Sequence, residues 1–311
     1  MPERTMWLAK AKMIDSYKYR DGDVVIIGSS RAMALNPEFI QSRFGTSAIN
    51  FSVGGATTPS TYFFIKRILA NNPGIKKVYL EFAPINMSSK DTGLSASLGE
   101  NFIRYVATKE EVEELELDLP GALELYRSIH MFPFSKYINM KDLSLLESIV
   151  IRWRTGKSNE AERRQIIDRK GFLLYPSLNS DNESQNSLFD KRANEYYAKI
   201  DKLTEKLPSV TAVYLRKMLT LLNSRKVEYV IFFSPVPHVG SLYKHLAFGE
   251  TFELFKQYSS HINDRILIYD NKYFSEPSHV NKNGSDLFTG FFYECIVNNV
   301  CNHPNTLRLF K

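Results

Sequence analysis

Apolar residues along this chain follow two alternating patterns. Short unbroken runs of β-favouring residues occur in DVVIIGSSRAM (23–33), SAINFSV (47–53), KKVYLEF (76–82), VEYVIFFSPVP (227–237) and RILIYDN (265–271). Between them lie stretches whose apolar residues recur every three or four positions, such as TYFFIKRILANN, VTAVYLRKMLTLLNSRK and ETFELFKQYSSHI. The unbroken runs predict strands covered on both faces, and the periodic stretches predict amphipathic helices. Strand alternates with helix, which implies parallel pairing through right-handed crossovers and a three-layer α/β/α sandwich.

The alternation stops after the third strand. Residues 87–206 contain helix-like blocks (NFIRYVATKEEVEEL, LPGALELYRSI, LSLLESIVIRWR, RANEYYAKIDKL) and a polar stretch, SLNSDNESQNSLFD, that reads as a loop. The chain therefore divides into an α/β domain made of 1–86 and 207–311 and a mainly helical insertion, 87–206. Leaving from the end of a parallel strand, the insertion emerges on the carboxyl side of the sheet. There it is expected to cover the crevice in which such folds bind ligands.

Composition narrows the partners. The chain has 311 residues, 43% hydrophobic, enough for a large core. Its 40 Lys and Arg against 34 Asp and Glu give +6, but basic and acidic residues are interspersed, so no nucleic-acid partner is expected. A weak pull toward anionic glycans or lipid head groups remains. The two cysteines, Cys295 and Cys301, are six apart in a helix-like segment and so lie on different helix faces, which predicts no disulfide unless the helix ends between them. No metal-ligand spacing occurs, and no metal or organic cofactor is expected. The start, MPERTMWLAKAKMIDSYK, is basic and amphipathic without a signal-peptide core, and no apolar run is long enough to span a membrane, so the chain as given reads as soluble.

The carboxyl ends of the predicted strands carry the candidate chemistry. Gly28, Ser29, Ser30 and Arg31 follow the first strand; Gly54, Gly55, Ala56 and Thr57 the second; Pro84 and Asn86 the third; His238 the fourth. The fifth precedes FSEPSHVNKNG, with Glu276, His279, Asn281 and Gly284. A serine, a histidine, a carboxylate, glycine amides and an asparagine amide make the inventory of acyl transfer. A serine attacks once a histidine takes its proton, a carboxylate holds that histidine in the useful tautomer, and exposed N–H groups stabilise the oxyanion. Ser30 read alone is a helix N-cap. Arg31 reads as structural or as a guide for an anionic substrate, and His238 as a pocket or loop residue.

IIGSSR, NFSVGGATT and EPSHVNKNG resemble the first, second and fifth sequence blocks of the SGNH hydrolase superfamily. The similarity is closest to its membrane-associated, acyltransferase-like branch, which includes DltD-like and alginate O-acetylation-like proteins and an uncharacterised family typical of spirochaetes. The resemblance covers roughly the first 86 and last 100 residues. It implies a five-stranded parallel sheet in the order 2-1-3-4-5, with Ser30 as nucleophile and the N–H groups of Ser30 and Gly55 as oxyanion donors. It also implies His279 as base, with Glu276 where the family usually has aspartate. The third block is degenerate, and EFAPINM offers only Asn86 as a side-chain donor.

The residues and the resemblance together predict a serine esterase or O-acyltransferase acting on acyl esters, acetyl above all, of cell-envelope glycan or lipid. Its setting would be extracytoplasmic, with a membrane-bound acyltransferase as a partner; a cytoplasmic setting is the alternative. Two rival readings stand beside it. One is a catalytically silent glycan-binding or scaffold protein that uses the same crevice. The other is a flavodoxin-like nucleotide binder in which GSSR cradles a phosphate.

Overall fold

The structure, a computed structural model, describes residues 3–82, 100–130, 160–174, 183–200, 209–238, 261–263, 265–301 and 306–308. Its centre is a parallel sheet of β1 (Val24–Ile27), β2 (Ala48–Asn50), β3 (Lys77–Phe82) and β4 (Glu228–Phe233) in the order β2-β1-β3-β4. Val25 sits opposite Ile49 on one side and Val78 on the other, and Val78 opposite Tyr229. A short strand, β5 (Val236–Pro237), then pairs in parallel with β6 (Arg265–Tyr269). A parallel bridge between Ile231 and Ile262 sets this fifth predicted strand beside β4, although the continuous ladder ends at β4.

Alternation along the strands builds two cores. Val25, Ile27, Val78, Leu80 and Phe233 face one of them, where Trp7 and Met13 of α1 (Glu3–Ser16), Phe64 and Ile68 of α3 (Thr58–Asn71) and Met218 of a helix at Ser209–Ser224 pack. Val24, Ile26, Tyr79 and Phe232 face the other, against Ile40 of α2 (Pro37–Phe44) and Phe288, Phe291 and Phe292 near the chain's end. Both faces of the sheet are thus buried, as the unbroken apolar runs require. Asn36 starts α2 by accepting hydrogen bonds from the N–H groups of Glu38 and Phe39, with Pro37 in the first turn and Gly45 at φ 70° closing the end.

After β3 the described residues are helical: α4 (Glu100–Tyr105), α5 (Lys109–Glu116), α6 (Ala122–His130), 160–168, and α7 (Glu183–Ile200), before α8 (Ser209–Ser224) returns the chain to the sheet. The polar stretch read as a loop is in part wrong, because α7 begins at Glu183 within it. Asp190, Lys191, Arg192, Asn194 and Glu195 are exposed, while Ala193 is buried and Phe189 and Tyr196 pack against the core, so a few apolar anchors dock a largely hydrophilic helix. LSLLESIVIRWR and most of ETFELFKQYSSHI lie outside the described residues.

Two further features depart from the sequence reading. An edge strand, β9 (Thr306–Arg308), pairs antiparallel with β6, and three residues are too few to show a period. Cys295 and Cys301 form a disulfide, with Cα atoms 4.3 Å apart. The condition for pairing is met because the last helix, α9 (Lys282–Phe291), continues as a π-helical segment that stops at Val297, and Asn299 reverses the chain at φ 57°.

Candidate active site

The turn after β1 is built around a buried carboxyl group. Glu81, 3% exposed, extends from the end of β3, where the register sets it beside Gly28. Its Oε2 accepts hydrogen bonds from the Ser29 N–H (2.8 Å) and the Ser29 hydroxyl (2.7 Å), and its Oε1 accepts one from Ser234 Oγ (2.8 Å), just past β4. A Cβ on Gly28 would lie 2.6 Å from Glu81 Cβ, so only glycine leaves room for this side chain. Ser30, next in the chain, is half-buried. Among the described residues neither its N–H nor its Oγ enters a hydrogen bond.

The rest of the crevice is tied to that turn. Asn50, fully buried at the end of β2, donates through Nδ2 to the carbonyls of Ala32 (2.7 Å) and Leu35 (3.0 Å). Beyond it Gly54 is buried, its N–H donated to Met6 Sδ and its carbonyl accepting from Trp7 Nε1 (3.1 Å). Gly55 is exposed and lies in the left-handed region at φ 69°. Asn101 at the start of α4 borders it, with Nδ2 3.6 Å from where a Gly55 Cβ would stand.

Glu276 and His279 come together in a tight antiparallel turn between β7 (Phe274–Glu276) and β8 (His279–Val280), where they are register partners. His279 Nδ1 is hydrogen-bonded to Glu276 Oε1, and Ser278 Oγ donates to the same oxygen at 2.9 Å. His279 is largely buried (12% side-chain exposure) and Glu276 is about half exposed. The hydrogen bond from His279 holds the Glu276 carboxyl below the usual carboxylate range. The charges of His279 and Arg31 and the Ser278 hydroxyl act in the same direction, and partial burial opposes them.

Contacts with α9 bring this turn to the Ser30 side. The helix is capped by Asn281, whose Oδ1 accepts from the Gly284 N–H; its Ser285 hydroxyl donates to the Ala34 carbonyl, and Thr289 Oγ1 accepts from the Asn36 N–H (3.1 Å). The segment directly after Ser30 is thus bonded to the helix directly after His279.

Arg31, buried beside Ser30, donates to the Tyr196 hydroxyl of α7 and lies 5.4 Å from that ring's centre. Asn271 Nδ2 donates to Asp190 of the same helix. Through Tyr196 and Asp190, α7 thus meets the segments that follow β1 and β6. His238 is exposed past β5, its N–H donated to the Tyr269 carbonyl. Asn86 lies outside the described residues. Sequence pattern does not single out Glu81, Asn101, Tyr196 or Ser278, although a lone acid inside the apolar run VYLEF is a legible signal for Glu81. Among the described residues no three His, Cys, Asp or Glu side chains gather as a metal site, and no helix is long and apolar enough to cross a membrane.

No family model matches this chain, and no curated protein matches it. Among solved structures, one described as "The structure of a putative platelet activating factor from Streptococcus pneumonia" aligns over 94% of this chain and 91% of its own length. The identity is 9% and the TM-score 0.39, too low to bear on function. The fold rests on the strand order and register given above.

Proposed function

We propose that this protein is a serine esterase or O-acyltransferase that takes acyl groups, acetyl above all, from esters through Ser30, His279 and Glu276. The observation that carries the reading is the bond between Glu276 and His279 Nδ1 at the carboxyl end of the sheet. With Nδ1 engaged by a carboxylate, the proton sits there and Nε2 is the basic nitrogen. Ser30 Oγ attacks the acyl carbonyl as its proton passes to Nε2, and the Ser30 and Gly55 N–H groups receive the oxyanion. The leaving alcohol takes the proton back from His279. Water then releases the acid, or a second hydroxyl takes the acyl group.

The resemblance to the acyltransferase-like branch of the SGNH superfamily favours a cell-envelope glycan or lipid as substrate and a membrane-bound acyltransferase as partner. The Cys295–Cys301 disulfide supports an oxidising, extracytoplasmic setting. α7, which meets the segments after β1 and β6 through Tyr196 and Asp190, supports a roof over a bulky acceptor.

Turnover of p-nitrophenyl acetate by the wild type, Ser30→Ala and His279→Ala tests the reading. Each variant is expected to lose nearly all activity while keeping its fold, because residues that act as one unit fail together. Wild-type rates in His279→Ala would move the base elsewhere, with His238 the next residue to examine. An inactive wild type would leave a glycan-binding scaffold.

A further inference from the structure

We propose that Glu81 is the positioning residue of the nucleophile turn, acting through Ser29 to fix where Ser30 points; the proposal rests on the serine-nucleophile reading above. Glu81 is buried in a strand whose other residues are apolar, apart from Lys77 at its start. Taking a carboxyl group out of water is costly, and the three donors gathered from Ser29 and Ser234 offset that cost. What an apolar residue could not do is bind the backbone N–H and hydroxyl of Ser29 with one oxygen while holding Ser234 with the other.

Those bonds fix the residue that precedes the nucleophile at two points. Ser29 Oγ in turn lies 3.4 Å from the Arg31 N–H, so the residues on both sides of Ser30 are held by one small network. Ser30 is the member of the turn left outside it. Gly28 is part of the same device, since any larger residue would collide with Glu81. Ser234 carries the anchorage to the far strand, so the turn is referenced to three adjacent strands, β1, β3 and β4, at once. Rigid placement of this kind raises the rate at which a nucleophile reacts, not the affinity for the molecule it attacks.

The test is the kinetics of Ser30 labelling by a fluorophosphonate probe, followed to completion so that rate constant and final stoichiometry are read separately. Glu81→Met, similar in size but without oxygens, is expected to label to the wild-type stoichiometry at a rate lower on the order of 10²-fold. Glu81→Gln is expected to recover most of that loss. Its carbonyl can accept from both Ser29 groups while its amide donates to Ser234. A purely structural role would lower the stoichiometry in proportion to unfolded protein and leave the rate constant of the folded fraction unchanged, and that result overturns the proposal. If Glu81→Met does not fold, Glu81→Gln combined with Ser29→Ala serves instead; a rate equal to that of wild type would likewise overturn it. A wild type that does not label at Ser30 refutes the nucleophile reading itself, a result distinct from labelling that is insensitive to Glu81.

Discussion

Glu276 and His279 face each other as register partners across a two-residue turn, and the carboxylate oxygen nearest the ring binds Nδ1. If this bond sets the tautomer, Glu276→Gln should lower kcat on the order of 10²- to 10⁴-fold with the fold retained, because an amide N–H can face Nδ1 and force the proton onto Nε2. Glu276→Asp should be much milder, since a carboxylate is kept and only reach is lost. The kcat values of both variants on one ester, with circular dichroism as folding control, decide the matter; equal, near-wild-type rates would remove Glu276 from the site.

The same pair makes a pH prediction. The Glu276 carboxyl is held below its ordinary value of 4.5 in the folded protein, so its contribution to stability is complete above about 4.5 and is lost as pH falls through the lowered value. Thermal unfolding of the wild type between pH 6 and about 3 should therefore show a steeper acid-side fall in Tm than Glu276→Gln, whose side chain does not titrate.

Lys10 gives the opposite limb. It is fully buried in α1, where Nζ donates to the carbonyls of Asn50 (2.7 Å) and Gly171 (2.6 Å), tying the insertion to the end of β2. Burial pushes its amine down from 10.5 to about 7. Between those values the unfolded chain binds the extra proton, so stability should rise with pH from about 7 to 10.5 and be flat in this respect below 7. Lys10→Met should flatten the rise in Tm across that window; a slope equal to that of the wild type would show that Lys10 does not titrate there.

Gly28→Ala should destabilise by about 1–3 kcal/mol, the usual cost of overfilling a packed site, because the new methyl would meet Glu81 Cβ and Oε2. Denaturant unfolding reads the loss. An unchanged midpoint would mean that the turn after β1 has room the geometry does not give it.

The sheet is legible in the sequence because strands buried on both faces leave unbroken apolar runs, and VVII, VYL and VIFF lie within β1, β3 and β4. His279 and Glu276 are legible because their three-residue spacing is local. The role of Glu81 is not: the resemblance implies a strand order that puts β3 between β1 and β4, but linear sequence does not display which side chains bond across the strand ends. Tyr196 and Asp190 escape for a related reason: α7 is polar along most of its length, and nothing in its spacing tells which side chains meet Arg31 and Asn271. The disulfide turns on where a helix stops, a boundary that periodicity defines poorly.

Activation of Ser30 as a nucleophile is tested most directly by covalent labelling with a fluorophosphonate, the adduct being located by peptide mass spectrometry. The wild type should carry a single adduct on Ser30, and Ser30→Ala, folded as judged by circular dichroism, should carry none. No adduct on the wild type, or equal labelling of Ser30→Ala, would contradict the assignment of Ser30 as the attacking residue.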